Sequence, residues 1–376
     1  MKINHRHWFM MLLVPMLLTT QAMSWGWDTH RFINEHAVDY LPPEMAFFKT
    51  HQDFLTEHAP DPDKTKNRPG YWHYIDIDNY PEFFSGTLPT DMTKLIGLYD
   101  AKTVTDNGIV PWAIGYEIDS AQTLMSDGQW DMSWQALADL GHYVADSHQP
   151  LHLTANYNGQ LTGQTGIHSR YETQMINPHL ENFPLPEGTA KYWENVNDSV
   201  FQYIQTYFSG VTQIMAADSD ATAADPSQDS AYYAIMWEQL DSLTVKAVDQ
   251  AILDLASIWY TTWVNAGCPY PAGVNPTAVT SDGINLKIQK KSCLFFKPKL
   301  KIEYTLPENS LVKLGIYDNC GKMVHQLVNE SQSSGQHSLK WDYKISPESP
   351  LHTGNYFIRL SANNDALAVK LNYSRY

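Results

Sequence analysis

Apolar residues recur with the spacing of an α-helix through the first two thirds of the chain. The clearest stripe lies within residues 232–264 and comprises Ile235, Leu240, Leu243, Val248, Ile252, Leu255 and Trp259. The same period predicts helices over residues 31–41, 111–125 and 191–208. We therefore expect residues 25–266 to form one mainly α-helical domain.

The pattern changes after Gly267. Residues 267–285 are rich in Pro, Gly and Thr, which is typical of a linker, and apolar and polar residues then alternate in short runs. The predicted strands are Leu300–Tyr304, Val312–Tyr317, Met323–Val328, His337–Trp341, Tyr356–Leu360 and Ala366–Leu371. Asp318-Asn-Cys-Gly321 predicts a hairpin turn. Residues 286–376 are expected to form a small all-β sandwich.

Residues 1–24 have the pattern of a secretory signal peptide. Lys2 and Arg6 precede an apolar stretch from Trp8 to Leu18, and small residues follow at the usual cleavage positions. Cleavage would leave Trp25 as the new N-terminus. We therefore expect a protein secreted to the periplasm, the cell surface or the medium. No later segment has about 20 uninterrupted apolar residues, so no transmembrane segment is predicted.

The formal charge of the chain is −16. Such a charge disfavours nonspecific binding to nucleic acid or to anionic lipid, although bound metal ions would reverse the local sign at a site. The cysteines, Cys268, Cys293 and Cys320, all follow the histidine-rich part of the chain. Thiolates are therefore not expected among metal ligands.

The strongest candidate site lies in residues 142–172. His142 and Asp146 are four residues apart, so both project from one helix face, and His168 and Glu172 repeat this spacing. His152 lies between the two pairs. A single pair of this kind is typical of a solvated helix face, but three imidazoles and two carboxylates together suit zinc. One zinc takes about four ligands, so the set predicts more than one ion.

Earlier residues add a second partial ligand set. His30 lies at the start of the first predicted helix, five residues after Trp25, whose α-amino group would chelate metal once the signal is removed. Asp61 and Asp63 lie in a Pro-rich loop before His73.

These motifs occur in a fixed order over residues 25–265. They are Trp25 to His30, Asp61 to His73-Tyr-Ile-Asp, His142-x3-Asp146-x2-Gln-Pro-x-His152 and Gly166-x-His168-Ser-x-Tyr-Glu172. This order resembles the zinc-dependent phospholipase C / S1-P1 nuclease superfamily. The resemblance implies a mainly helical catalytic domain with three zinc ions in a cleft.

The resemblance also implies which residues bind each ion. The first would be held by Asp61, His73 and His142, the second by His152, His168 and Glu172, and the third by the Trp25 amino nitrogen and carbonyl oxygen, His30 and the bridging Asp146. Asp61 is preferred to Asp63 because Lys64 then follows three residues later, where the nuclease branch carries an arginine that steadies the phosphate. A lysine there acts only as a point charge.

The activity implied is hydrolysis of a phosphodiester. A zinc-bound hydroxide would attack phosphorus, since Zn²⁺ lowers the pKa of bound water to about 7, and Asp61 would orient the nucleophile or accept its proton. The preferred substrate is a phospholipid headgroup, as in phospholipase C. The catalytic region up to Val264 has no cysteine, whereas the nuclease branch typically carries disulfides there.

Two alternatives stay open. An S1/P1-type nuclease acting on single-stranded DNA or RNA is favoured by the spacing of Trp25 and His30, and by Lys64, Tyr74 and Asp76. Tyr74 and Asp76 would then contact a base, or else serve as a core aromatic and a capping acid. Asn156, in a Gly-rich loop, would contact substrate or belong to a plain connector. The second alternative is a non-catalytic zinc-binding surface protein with closed metal sites.

The C-terminal part carries its own resemblance. Leu306-Pro-Glu, Val312-Lys-Leu-Gly-Ile-Tyr-Asp318, Trp341-Asp and Gly354-Asn-Tyr-Phe are similar to Ig-like modules at the C-termini of exported bacterial proteins. Some of those modules act as type IX secretion signals. The resemblance implies a stabilising or surface-tethering module that contacts the cell surface or the secretion machinery.

Overall fold

The computed structural model describes residues 25–64, 68–274, 278–281, 283–293, 296–346, 349–363 and 365–374. The predicted signal peptide lies outside these residues. The first part of the chain is helical and the last part is an all-β sandwich, as the sequence patterns predict. Within the described residues, none of the helices has the length and apolar character needed to cross a membrane.

The helical part is built around one buried helix. Its α-helices are α1 Trp27–Ala37, α2 Gln52–His58, α3 Asp61–Lys64, α4 Pro81–Ser85, α5 Met92–Tyr99, α6 Ala101–Asp106, α7 Val110–Ser126, α8 Trp130–Asp146, α9 Ile167–Ser169, α10 Val196–Phe208, α11 Gly210–Ala224 and α12 Ser230–Asn265. Helix α8 packs against α1, α2, α7 and α12. Because α8 has neighbours on several sides, most of its residues are buried, including the polar ones near its C-terminal end.

Shorter helical turns connect these elements. They are the 3₁₀ turns Val38–Tyr40, Pro43–His51, Gly70–Trp72, Ile77–Asn79, Pro150–Leu153 and Leu180–Asn182, and the π-helical turn Arg170–Met175. A π-helical turn is uncommon and often marks a functional site.

One predicted helix begins later than expected. Residues before Val196 are extended, and the Asn195 side chain caps α10 by accepting from the Asp198 amide. The Trp193 amide donates to Thr261 Oγ1 on α12, at 2.9 Å. Because side chains of α12 satisfy this backbone, the segment does not need helical hydrogen bonds.

The β-sandwich has two four-stranded antiparallel sheets. The strands are β1 Ala278–Ser281, β2 Ile284–Cys293, β3 Phe296–Leu306, β4 Ser310–Asp318, β5 Met323–Gln332, β6 Gly335–Trp341, β7 Lys344–Ser346, β8 Ser349–Pro350, β9 Gly354–Ala362 and β10 Asp365–Tyr373. One sheet has the order β1-β2-β3-β6 and the other β10-β9-β4-β5. Each predicted strand coincides with an observed strand. The sequence patterns do not predict the short strands β7 and β8, nor β1 and β2, whose first residues resemble a polar linker.

Two separate hydrophobic cores exist, one in the helical part and one in the sandwich. Phe357 of β9 belongs to the helical core, and its ring lies 5.5 Å from that of Trp263 at the end of α12. The Lys370 ammonium donates to Gly267 O and Cys268 O just beyond α12. The outer face of the β10-β9-β4-β5 sheet therefore packs directly on the helical part.

Candidate metal centre

A glycine lets the first two site helices approach closely. A Cβ atom on Gly141 of α8 would lie only 2.1 Å from Asn34 Oδ1 of α1. Asn34 is buried, and its Nδ2 donates to Leu55 O at 3.0 Å. This contact brings His30, one helical turn before Asn34, onto His142, with stacked rings 4.0 Å apart.

The first group of potential ligands is His30, His142 and Asp146. All three are buried, and one ligand atom of each lies within 4.8 Å of the others. His30 Nε2 is 3.6 Å from Asp146 Oδ1, and His142 Nε2 is 3.3 Å from Asp146 Oδ2. The i, i+4 pair predicted on α8 is therefore joined by a histidine from α1.

The second group is Asp63, His73 and His142. Asp63 Oδ1 lies 3.7 Å from His73 Nδ1 and 3.6 Å from His142 Nε2. His73 Nδ1 is also 3.0 Å from Asp146 Oδ2. His142 thus belongs to two groups, and Asp146 contacts a histidine of each.

The structure places Asp63, rather than the preferred Asp61, in this group of potential ligands. Asp61 accepts from His58 Nδ1 at 2.6 Å and from the Lys64 ammonium at 3.3 Å. The two acids are two residues apart on α3, so their side chains leave the helix in different directions. Asp63 is the acid that reaches the histidines.

The third group is His152, His168 and Glu172. His168 Nε2 lies 2.9 Å from Glu172 Oε2, and His152 Nε2 lies 3.9 Å from the same oxygen. Glu172 belongs to the π-helical turn Arg170–Met175. His152 Nδ1 also lies 3.7 Å from Asp146 Oδ1, so this group adjoins the other two.

Backbone carbonyls fix the orientation of three imidazole rings. The donors and acceptors are His142 Nδ1 to Ala59 O (3.0 Å), His152 Nδ1 to His73 O (2.6 Å) and His168 Nδ1 to Tyr157 O (3.1 Å). Because a carbonyl only accepts, each Nδ1 carries the proton, and each Nε2 is turned toward the acids. This arrangement is typical of histidines that bind metal. No sequence signal identifies these carbonyl partners.

The donor set fits zinc ions. Asp146 Oδ1, His152 Nε2 and Glu172 Oε1 are buried and accept no hydrogen bond within the described residues. Buried polar atoms are rarely left without partners, and a cation would satisfy all three. Imidazole nitrogens and carboxylate oxygens are ligands that zinc accepts.

Burial and charge shift the pKa values of the site in opposite directions. Burial, aided by the neighbouring His142, holds the pKa of His30 well below its usual value. Burial also disfavours the charged form of His142 and His152, but nearby carboxylates, chiefly Asp146, outweigh it and raise both pKa values to about 9. For Asp146, burial is outweighed by the charges of His142 and His152, so its pKa is lowered well below the usual value.

These pKa values predict that zinc uptake depends on pH. Both His142 and His152, with pKa values of about 9, hold a proton in the neutral metal-free protein. Metal binding releases these protons, so apparent affinity should rise about tenfold per pH unit for each proton displaced, up to pH 9. Calorimetric zinc titration in buffers of different ionisation enthalpy measures the release. Zinc uptake without proton release at pH 7 would contradict the assignment.

The same protons stabilise the metal-free fold. The folded pKa values lie above the usual 6.5, so this stabilisation is complete below pH 6.5 and is lost as the pH rises through 9.

Trp25 lies beside the metal centre. It is fully buried, and its Nε1 donates to Ala145 O, next to Asp146, at 2.7 Å. A Cβ atom on Gly26 would lie 3.2 Å from Glu172 O. The start of the helical part is therefore held between α8 and the turn that carries Glu172.

Lys64 lies at the rim of the centre. Its ammonium bonds Asp61 and lies 5.2 Å from the ring centroid of the exposed Trp27. It follows Asp63 directly in the chain, so a positive charge lies next to the second ligand group.

Tyr74 and Asp76 flank a segment bonded to the centre. The Ile75 amide between them donates to His152 O at 2.8 Å. The Tyr74 hydroxyl donates to Asp106 O at 3.2 Å. Burial, with Asp78 nearby, raises the pKa of the half-buried Asp76 to about 7.

The side chain of Asn156 forms hydrogen bonds within its own loop. Its Nδ2 donates to Thr162 Oγ1 at 3.1 Å, and its Oδ1 accepts from the Leu161 amide at 2.8 Å. These bonds favour the connector alternative over substrate contact for Asn156.

A buried ion pair that the sequence patterns did not reveal anchors the same loop. Arg170 Nη2 lies 2.7 Å from Asp218 Oδ1, and Arg170 Nη1 donates to Thr165 O. The pairing joins the loop to α11 across 48 residues of sequence. No spacing rule links residues so far apart.

Comparison with known proteins identifies the class. The S1/P1 Nuclease family matches residues 25–251, and the FlgD Ig-like domain matches residues 294–366. The chain therefore belongs to the S1/P1 nuclease family, and it is a phosphodiester hydrolase. No curated protein matches it.

Two solved structures with some likeness are bacterial toxins. Alpha toxin from Clostridium absonum is 12% identical, with a TM-score of 0.43, 93% of this chain and 95% of that chain being covered. Alpha-toxin from an avian strain of Clostridium perfringens is 13% identical, with a TM-score of 0.39 and coverages of 92% and 97%. At these scores neither likeness decides between possible substrates.

Proposed function

We propose that the chain is a zinc-dependent nuclease of the S1/P1 type that cleaves single-stranded nucleic acid. The observation that carries this proposal is the convergence of three acid and histidine groups around Asp146 in a member of this family. The proposed ligands are Asp63, His73 and His142 for one ion, His152, His168 and Glu172 for a second, and His30 and Asp146 for a third. The resemblance of the sequence to the family adds Trp25 to the third set. Bound zinc would lower the pKa of water and polarise a phosphoryl oxygen.

The protein's own groups position the reactants. Asp146 lies between the imidazoles of the groups and holds them by charge. Asp63 would orient a nucleophilic water or accept its proton, and Lys64 would attract the phosphate without bidentate contact. Asp61 would act indirectly, since it accepts from Lys64.

The two neighbouring acids should differ sharply when mutated. Asp63→Asn is expected to lower kcat about a hundredfold or more and to release zinc, because a ligand is weakened. Asp61→Asn is the matched control and should lower kcat only a few-fold, through Lys64. Zinc content and kcat are measured on both proteins. A larger loss of zinc from Asp61→Asn would restore the sequence-based choice.

Extending the N-terminus tests whether the α-amino group of Trp25 binds an ion. Adding one alanine before Trp25 should remove about one zinc ion, since one ion needs the free amino group of Trp25. A chain starting at Trp25 is the control. Equal zinc content and equal rates in the two proteins would remove Trp25 from the ligands.

Tyr74 and Asp76 support the nucleic-acid substrate. Both lie on the segment bonded to His152, and Tyr74 is only partly buried. With a pKa of about 7, the Asp76 carboxyl exchanges a proton near neutrality and can donate to or accept from a base edge. A partly exposed aromatic ring offers a face on which a base of a single strand can stack.

The test compares two substrates on one zinc-loaded sample. The chain from Trp25 to Tyr376 is given single-stranded DNA and phosphatidylcholine vesicles, and nucleotide and headgroup release are measured. We expect nucleotide release, and Tyr74→Ala should raise KM for DNA about tenfold because a base contact is lost. Tyr356→Ala, in the sandwich, is the control. Headgroup release without nucleotides would overturn the proposal.

The second candidate is a phospholipase C. The observation that favours it is the absence of cysteine from residues 25–264. The remaining alternative from the sequence, a non-catalytic zinc-binding surface protein, does not agree with membership of a family of phosphodiester hydrolases.

The location of the protein is also proposed. The signal-like residues 1–24 support secretion, with a catalytic domain over 25–266, a linker over 267–285 and an Ig-like module over 286–376. The helices end at Asn265, and the first strand begins at Ala278. We propose that the module contacts the cell surface or the secretion machinery.

A further inference from the structure

The charge of the chain is divided unevenly along its length. Residues 283–376 contain 13 Lys and Arg against 7 Asp and Glu, so this part is +6, whereas residues 1–282 are −22. Between Asp282 and Glu303 there are six lysines and no acid. The C-terminal part is therefore basic, although the net charge of the whole chain is −16.

The strand register places several lysines on one face. In the β1-β2-β3-β6 sheet, the inward positions include the buried Leu286 and Ile302 and the partly buried Leu339. The alternate positions face outward. The outward lysines are Lys287, Lys299, Lys301 and Lys340, which we call the lysine face.

The lysine face is poorly neutralised. Lys301 lies directly opposite Lys340 across β3 and β6, and like charges in this position destabilise a sheet. One acid of the described residues, Glu303, pairs with Lys301 and lies opposite Lys287, so a single carboxylate serves the four lysines. A face that keeps an unfavourable pair fits an anionic partner that offsets it.

The lysine face and the helical part lie on opposite sides of the sandwich. The other sheet packs on the helical part through Phe357, Arg359 and Lys370. Because the two sheets lie back to back, the lysine face points away from the helical part.

The lysine face also lies far from the metal centre. Phe357 contacts Trp263, whose ring is 6.2 Å from Phe47, and Phe47 is 5.5 Å from Trp130 at the start of α8. Asp146 is at the other end of this 17-residue helix, roughly 24 Å away at 1.5 Å per residue. The sandwich therefore docks at the end of the helical part opposite the metal centre.

We propose that the lysine face binds an anionic lipid surface and holds the metal centre outward, away from that surface. A flat sheet with several lysines complements a flat layer of anionic headgroups. The described residues of this face include no aromatic side chain, which a single-stranded nucleic acid would need for stacking. The proposal specifies the surface contact of the module and does not depend on which phosphodiester the centre cleaves.

The test is sedimentation with vesicles of phosphatidylcholine alone or mixed with phosphatidylglycerol. We expect the chain from Trp25 to Tyr376 to bind only the mixed vesicles and to be released by high salt. Each lysine near such a surface contributes roughly a fivefold gain in binding, so changing all four to Gln should weaken binding on the order of a hundredfold or more. Lipid phosphorus in the pellet separates binding from hydrolysis.

A matched variant controls for net charge. Lys94, Lys102, Lys191 and Lys246 lie on the surface of the helical part, and changing these four to Gln removes the same charge. This variant should bind as the unmodified chain does. Equal binding by the two variants, or no binding of the unmodified chain to mixed vesicles, would overturn the proposal. Binding to a single-stranded DNA with uncleavable phosphorothioate linkages is measured on the same proteins. If changing the lysine face to Gln abolishes binding to this DNA and leaves vesicle binding unchanged, the proposal is also overturned. Nuclease assays on the same proteins report the proposed function separately.

Discussion

Replacing Asp146 by alanine is expected to remove roughly two zinc ions and to lower kcat at least about a thousandfold. Asp146 is a carboxylate that lies within 4 Å of an imidazole from each of the three ligand groups. Its oxygens lie 3.6 Å from His30 Nε2, 3.0 Å from His73 Nδ1 and 3.7 Å from His152 Nδ1. Its loss leaves the buried histidines to repel one another once they are protonated. Zinc counted by atomic absorption and kcat on single-stranded DNA measure the effect.

The control for this variant is Asp131→Ala. Asp131 is an exposed acid in the first turn of the same helix, far from the centre. It should keep its zinc and its rate, with a small loss of helix stability. An Asp146→Ala protein that keeps its full zinc content would show that Asp146 is not a ligand.

Breaking the ion pair between the two parts of the chain should cause the largest loss of stability. Glu44 is buried and accepts from both Nε and Nη2 of Arg359, the Nε bond being 3.0 Å. Glu44→Gln leaves the mostly buried guanidinium of Arg359 without a counter-charge. The expected cost is about 3–5 kcal/mol of the free energy of unfolding, measured by urea denaturation.

A double variant distinguishes the cost of an uncompensated buried charge from the cost of losing the ion pair itself. Glu44→Gln with Arg359→Met removes both charges and should recover much of the lost stability, since apolar groups tolerate burial. Lys49→Ala breaks an exposed ion pair with Asp39 and should cost little. If Glu44→Gln costs no more than Lys49→Ala, the sandwich is not held by this pair.

Much of the fold could be predicted because the signals are local. The apolar stripe over 232–264 corresponds to α12, and the alternating runs after residue 300 correspond to strands. The failures are non-local. The extended residues before α10 depend on hydroxyl groups of α12, and β2 depends on pairing with β3. The local sequence pattern of a segment does not show that α12 or β3 will be its partner.

The candidate site divides in the same way. Spacing alone predicted that His142 and Asp146 share a face, as do His168 and Glu172, and the structure brings both pairs together. Spacing could not choose between Asp61 and Asp63. That choice depends on how α3 is rotated against α8, which packing decides.

The sequence by itself determined the types of donor atoms, their order along the chain and the helical or strand character of most segments. Helical or strand character depends on the geometry of a few neighbouring residues, and the family match depends on the order of the donor residues along the chain. Only the tertiary structure decided which acid lies near the histidines, which carbonyls orient the imidazoles and which sheet of the sandwich packs on the helical part. These features join residues far apart in sequence, and their contacts exist only after the hydrophobic cores have packed.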